Sequence, residues 1–117
     1  MSAMPMNGVE LRGQLLQKEQ IRTSPTGVPV LECTIWHESQ QQEAQALRRL
    51  AFACPARVLG PTALRLSQEP PERWLLFRGF VAPRRGACAS KPLPGERAAS
   101  GLIFHITEYE LEKHHGI

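Results

Sequence analysis

The fold of this chain is decided by residues 74–106, which read WLLFRGFVAPRRGACASKPLPGERAASGLIFHI. Two apolar runs at the ends of this stretch alternate apolar side chains with other residues, which is the period of a β-strand. The segment between them carries prolines, glycines and the charged residues Arg84, Arg85, Lys91, Glu96 and Arg97. Their formal charge is +3, which equals the net charge of the whole chain. The sequence therefore predicts two strands that are connected by one exposed basic loop.

A basic loop on two strands is suited to binding a polyanion such as a nucleic acid. The chain contains no aspartate, and its net charge of +3 at pH 7 is compatible with such a partner. The alternative is a solvated loop tip whose charges serve only solubility. Under the nucleic-acid hypothesis, the residues that would contact phosphates are Arg84, Arg85, Lys91 and Arg97.

A length of 117 residues suits one domain with one modest core. We predict a single domain whose core spans residues 7–111, with a flexible lead over 1–6 and a tail over 112–117. No apolar run approaches the roughly 20 residues that cross a membrane. Residues 1–8 lack the charged and apolar regions of a signal peptide. We therefore expect a soluble intracellular protein without a membrane partner.

The cysteines give no sign of a disulfide framework or of a metal site. Cys33, Cys54 and Cys88 are odd in number and widely spaced, which is typical of a reducing compartment. Cys33 and His37 lie four residues apart, but a second pair of ligands is missing from the sequence, so we predict no metal site. Catalytic motifs and phosphate-binding glycine loops are missing as well, so we predict neither an enzyme nor a cofactor.

The first half of the chain predicts two strands joined by a turn. Val9–Leu15 alternates apolar and polar residues and is the first strand. Gly13 within it indicates a bend or bulge, which a small closed barrel needs at a corner. Residues 23–27 read TSPTG, a tight-turn signal. Val28–His37 is the second strand, with Trp36 on the face opposite its apolar side chains.

The next segment predicts a loop and a third strand. Residues 38–43 are polar without a period and are expected to form an exposed loop. Arg48–Leu59 resumes the character of a strand. One of its faces carries larger side chains such as Phe52, and the other carries Ala51 and Ala53. Either face could point into the core of a tapering barrel, and the pattern leaves this open.

The remaining elements are a short helix and two further strands. Gly60–Pro61 can open a helix with proline in its first turn. Its apolar side consists of Ala63, Leu64 and Leu66, and the prolines at 70–71 end it. Trp74–Val81 is the fourth strand and Gly101–Leu111 the fifth.

This order of elements predicts an all-β protein, a five-stranded OB-fold barrel with a short helical segment between strands three and four. OB-folds bind oligonucleotides on the face of strands two and three and with the loops that join strands one and two, and four and five. The basic loop is then the four-five loop, residues 83–101. Trp36 lies on the strand face, and Lys18 begins the polar segment between strands one and two, so both are candidate nucleic-acid-binding residues.

Several short stretches resemble primosomal replication protein N, the PriB family, which is related to the bacterial single-stranded DNA-binding proteins. The resemblance rests on NGVELRG at 7–13, SPTGVP at 24–29, AFACP at 51–55 and RGFV at 78–81, and on His37, Glu43, Ala44, Arg49, Phe104 and His105. It extends from Asn7 to Leu111. Length favours the PriB family over the general binders, since the chain lacks a long linker with an acidic apolar tip.

The resemblance implies a homodimer of OB-folds that binds single-stranded DNA in the bacterial cytoplasm. It further implies that the protein helps to restart replication forks together with the helicase PriA and the protein DnaT. Two alternatives stay open: a protein adapter with weak nucleic-acid binding, whose basic loop grips an acidic partner, and a general single-stranded DNA-binding protein.

The resemblance also assigns roles to single residues. Phe52 stands where the family commonly has a tryptophan that stacks on a base, and Arg49 keeps a basic residue just before it. Stacking of a base on an aromatic ring contributes roughly 1 to 3 kcal/mol whatever the base, so phenylalanine should still contribute. Leu47 stands near another aromatic position of the family and cannot stack. The basic loop is longer than is usual in the family and contains Pro92 and Pro94.

Overall fold

The computed structural model describes residues 6–86, 88–98 and 101–112. Its elements, in chain order, are β1 (Val9–Lys18), β2 (Arg22–Thr23), β3 (Pro29–Glu43), β4 (Ala46–Leu59), α1 (Pro61–Ser67), β5 (Trp74–Pro83) and β6 (Leu102–Leu111). The predicted strands one to five correspond to β1, β3, β4, β5 and β6. Most of the predicted lead and tail, residues 1–5 and 113–117, lies outside the described residues.

Five strands close into a barrel because β1 pairs with two neighbours. Residues 9–14 of β1 pair with β5, and residues 14–18 pair with β3. The strand order β1-β5-β6-β4-β3 then returns to β1, and every pairing is antiparallel except that of β4 with β6. The two-residue β2 adds only to the start of β3. The predicted all-β, five-stranded barrel with one short helix is confirmed.

Two glycines allow the strands to bend, as predicted for Gly13. Gly13 lies where β1 leaves β5 for β3, and a methyl group there would collide with the Ile35 side chain and the Trp36 carbonyl oxygen. Gly79 lies beside a bulge in β6, where Thr107 is the extra residue, and a methyl group on Gly79 would overlap the carbonyl oxygen of His105. Neighbouring strands can therefore approach closely at both corners.

The interior of the barrel is apolar, and α1 closes one end of it. The core consists of Leu15, Leu31, Cys33, Ile35, Ala56, Val58, Ala63, Leu66, Leu75, Phe77, Phe104 and Ile106. Pro61 lies in the first turn of α1, as predicted. Ala63 and Leu66 are buried, whereas Leu64 is half exposed because it lies a third of a turn round the helix. The predicted apolar side was therefore wrong at Leu64. Within the described residues, no helix is long and apolar enough to span a membrane.

The predicted loop at residues 38–43 is wrong, because β3 continues to Glu43. It pairs there with the start of β4, from Glu43 opposite Ala46 to Glu38 opposite Ala51. Ala44 and Gln45 join the strands with φ values of 52° and 66°. Positive φ at both central residues is the requirement of a type I′ hairpin turn. We define residues 38–51 as the hairpin ribbon, a two-stranded extension beyond the barrel.

The register of β3 and β4 also decides which face of β4 points inward. Phe52 lies opposite His37, and Cys54 lies opposite the buried Ile35. Directly opposed residues project to the same side of a sheet. The larger side chains of β4 therefore lie on the side that continues the barrel interior, and Ala53 lies on the solvent side.

Candidate nucleic-acid interface

The solvent side of β3, β4, β6 and β5 forms one continuous surface, which we name the outer face. Strand register places on it Thr34, Trp36, Glu38, Arg49, Pro55, Arg57, Leu59, Phe80, Ala82, His105 and Thr107. It includes the face of predicted strands two and three, on which OB-folds bind oligonucleotides.

Trp36 and Arg49 lie together on the outer face. The indole Nε1 of Trp36 donates a hydrogen bond of 2.7 Å to Glu38. The same carboxylate lies 4.0 Å from the Arg49 guanidinium. Two of the predicted site residues are thus connected through Glu38, which also offsets the charge of Arg49 locally.

Phe52 lies on the opposite side of the strand pair from Trp36 and Arg49. Its side chain is 40% exposed, and its ring is tilted against that of His37 with 5.0 Å between centroids. His37 is held in place, since its Nδ1 donates to the carbonyl oxygen of Arg12 and its Nε2 lies 2.7 Å from the Ser39 hydroxyl. The predicted aromatic contacts are therefore divided between two faces.

The cations of the basic loop differ in their pairing from six arginines elsewhere in the described chain. Arg12, Arg22, Arg48, Arg57, Arg73 and Arg78 each form an ion pair with glutamate at 3.3 Å or less. Within the described part of the chain, no ion pair involves Arg84, Arg85, Lys91 or Arg97, and all four are exposed. Exposed cations without a carboxylate partner are those most available to phosphates.

The loop contains a defined turn at its tip. The Glu96 amide donates to the Leu93 carbonyl oxygen at 3.0 Å, and the Leu93 amide donates to the Glu96 carboxylate at 2.5 Å. Pro94 and Gly95, the latter with φ of 89°, occupy the central positions that a type II turn favours. The only carboxylate of the loop is therefore bound to its own backbone.

Lys18 lies at the end of α1, and it lines one cavity together with Arg84 of the basic loop. Its ammonium group donates to the carbonyl oxygens of Ser67 at 2.5 Å and Glu69 at 3.2 Å. This contact ties β1 to the last turn of the helix. A role of Lys18 in binding nucleic acid remains a prediction.

Phe80 and His105 form a pair that the sequence did not indicate. Their rings stack with centroids 5.0 Å apart and an interplanar angle of 11°. Burial, followed by the charge of Arg57, lowers the pKa of His105. The alternation of each strand was visible in the sequence, but the register that sets these two residues opposite each other was not.

The described residues contain a buried thiol with a raised pKa and no metal-binding cluster. Burial raises the pKa of Cys33 to about 12, so its thiol is a poor nucleophile. His37 uses both ring nitrogens in hydrogen bonds. Across residues 6–86, 88–98 and 101–112 there is no group of three side chains that could hold a metal ion.

Comparison with known proteins places the chain in a family. Residues 7–108 match a family described as another single-strand binding protein family. The replication restart protein PriB of Bordetella pertussis is 38% identical over 80 residues, which are 68% of this chain and 75% of that protein. The chain belongs to the PriB family. PriB of Neisseria gonorrhoeae is 33% identical over 85 residues, 73% of this chain and 77% of its own.

Solved structures agree with membership in the PriB family. PriB from Ralstonia solanacearum has a TM-score of 0.75 at 28% identity, covering 93% of this chain and 100% of its own. The small single-stranded DNA-binding protein of Streptomyces coelicolor has a TM-score of 0.63 at 8% identity and covers 94% of this chain and 96% of its own, which shows the fold alone. The predicted OB-fold and the resemblance to the PriB family are both confirmed.

Proposed function

We propose that this protein binds single-stranded DNA and acts in replication restart in the bacterial cytoplasm, as a homodimer that assists PriA and DnaT. One observation carries the DNA-binding part. The four loop cations lack carboxylate partners in the described structure and adjoin the outer face of an OB barrel. Membership in a family of single-strand binding proteins supports the same conclusion.

In this proposal the phosphates are held by Arg84, Arg85, Lys91 and Arg97. Bases stack on Trp36 on the outer face and on Phe52 across the strand pair. Stacking tolerates any base, while the cations supply an attraction that salt weakens. The protein therefore binds without a fixed sequence.

The decisive experiment measures how binding to a fluorescent oligothymidylate depends on salt. With about four phosphate contacts, the slope of log K against log salt should be near −3 on single strands. The variant Arg84→Ala with Arg85→Ala should flatten that slope by about 1.4, since two contacts are lost.

A matched control removes the same charge elsewhere. Arg65→Ala with Arg73→Ala also lowers the net charge by two, but both residues lie near α1, where Arg73 pairs with Glu69 and Arg65 covers Tyr109. This control should leave the slope unchanged. Equal flattening by both variants would mean that net charge, and not the loop, governs binding.

The exposed Leu93 of the basic loop favours the alternative function, that of a protein adapter. Leu93 is 69% exposed at the first position of the loop's type II turn, and Lys91 and Arg97 flank the turn in the sequence. An exposed leucine between cations fits an acidic protein surface with an apolar pocket better than it fits a base. If replacing the four loop cations by alanine left oligonucleotide affinity intact but abolished helicase stimulation, the adapter function would replace the proposed one.

A further inference from the structure

Phe80 and His105 form an aromatic pair on the outer face. They lie opposite each other on β5 and β6, and their rings are nearly parallel at 5.0 Å. Phe80 keeps 37% of its surface exposed. The stack thus fixes one ring on a rigid strand while leaving part of it open to a ligand.

The surroundings of this pair are apolar with a positive rim. Arg57, Leu59, Thr107 and the two rings line a shallow cavity of about 200 Å³. The Arg57 guanidinium lies 2.7 Å from the Glu32 carboxylate, and the Arg22 guanidinium lies 2.9 Å from the same carboxylate. Two guanidinium groups share one carboxylate, so this edge of the cavity keeps a net positive charge.

The pair is continuous with the basic loop. Side chains alternate along β5, so Phe80, Ala82 and Arg84 project to the same side. The backbone pairing of β5 with β6 continues one residue beyond the end of β5, since the Arg84 amide donates to the Gly101 carbonyl oxygen at 2.7 Å. Arg84 therefore follows Phe80 by four residues, about 13 Å along an extended strand.

We propose that the Phe80–His105 pair is a second base-stacking platform for single-stranded nucleic acid, lying between Arg57 and the base of the basic loop. Exposed aromatic rings beside cations that follow the backbone are the arrangement by which single strands are bound without sequence preference. The platform rests on the proposed function and extends the proposed binding path from Trp36 across the outer face to β5 and β6.

The test replaces the Phe80 ring with side chains that still fill its position. Phe80→Leu keeps apolar volume and removes the stacking surface, and Phe80→Trp enlarges that surface. We expect Phe80→Leu to weaken binding of an oligothymidylate by about fivefold or more, with an unchanged salt slope because stacking is not ionic. Phe80→Trp should bind at least as tightly as the wild type. Leu64→Ala, a change of a half-exposed leucine on α1, is the control and should not change affinity.

Photocrosslinking keeps the proposal testable should Phe80→Leu fail to fold. An oligonucleotide containing 5-iodouracil should crosslink to Phe80 or His105 in the wild-type protein, as identified by peptide mass spectrometry. Normal affinity of folded Phe80→Leu, or crosslinks confined to other residues, would overturn the platform.

The outcomes also separate the platform from the proposed function. If the wild type fails to bind the oligonucleotide at any salt concentration, the proposed function itself fails. If the wild type binds and the variant Arg84→Ala with Arg85→Ala has the flatter salt slope, while Phe80→Leu binds normally, only the platform is wrong. Normal oligonucleotide binding by Phe80→Leu with lost helicase stimulation would assign the surface to a protein partner instead.

Discussion

His105 lies on the outer face between Phe80, against which its ring stacks, and Arg57 on the neighbouring strand. Burial and the Arg57 charge disfavour its protonated form and lower its pKa, and Glu32 opposes this to a smaller degree. In the unfolded chain the imidazole regains its ordinary value of 6.5. Protons therefore bind more tightly to the unfolded state than to the folded one at this residue.

The consequence is a loss of stability on acidification. Well above pH 6.5 the residue is uncharged in both states and has no effect on the free energy of unfolding. As pH falls below that value, the unfolded state gains the proton first. We expect the wild type to lose more stability between pH 7 and pH 5 than His105→Gln does, as measured by urea denaturation. An equal loss in the two proteins would contradict this.

The hairpin ribbon is the element that differs most from expectation. Its strands pair along their whole length but lie beyond the barrel, so both of their faces meet solvent at most positions. Its turn places two residues with side chains, Ala44 and Gln45, at positive φ. Non-glycine residues in this conformation cost roughly 1 to 2 kcal/mol each.

A better turn should stabilise the ribbon locally. Ala44→Asn with Gln45→Gly gives the Asn-Gly pair that type I′ turns favour. We expect amide hydrogen exchange in residues 38–51 to slow by roughly fivefold, the equivalent of about 1 kcal/mol. Exchange in the barrel strands should not change, which serves as the internal control. Unchanged exchange in the ribbon would show that the turn does not limit its opening.

At the scale of the whole molecule, charge is separated between two surfaces. The basic loop carries +3, whereas Arg78 on β5 is surrounded by Glu10, Glu108 and Glu110 on the adjoining strands. A polyanion is attracted to the loop and repelled by the acidic part of the β1-β5-β6 sheet. DNA should therefore approach the barrel from one side only.

The free edge of β1 supports the proposed homodimer. Residues 9–13 pair with β5 alone, and the Arg12 carbonyl oxygen points to the other edge, where His37 binds it. By alternation, the backbone groups of Glu10 point to that same open edge, which is a template for another strand. We expect sedimentation equilibrium at micromolar concentration to give the mass of two chains. A mass of one chain across the concentration range would contradict the dimer.

The sequence by itself determined the five barrel strands and their order along the chain, the short helix, the bend at Gly13 and the basic loop. These depend on local chemistry, namely the two-residue period of half-buried strands, the punctuation by glycine and proline, and the count of charges. The strand over residues 38–43, which is the first strand of the hairpin ribbon, could not be predicted in this way. The alternation of apolar and polar residues disappears when both faces of a strand are in water.

Only the tertiary structure decided which residues meet. Strand register brought Trp36 and Arg49 to one face and Phe52 to the other, and it set Phe80 against His105. Closure of the barrel brought Lys18 to the end of α1, 49 residues further along the chain at Ser67. Register and closure are fixed by pairings between distant segments, and the pattern within any one segment does not contain them.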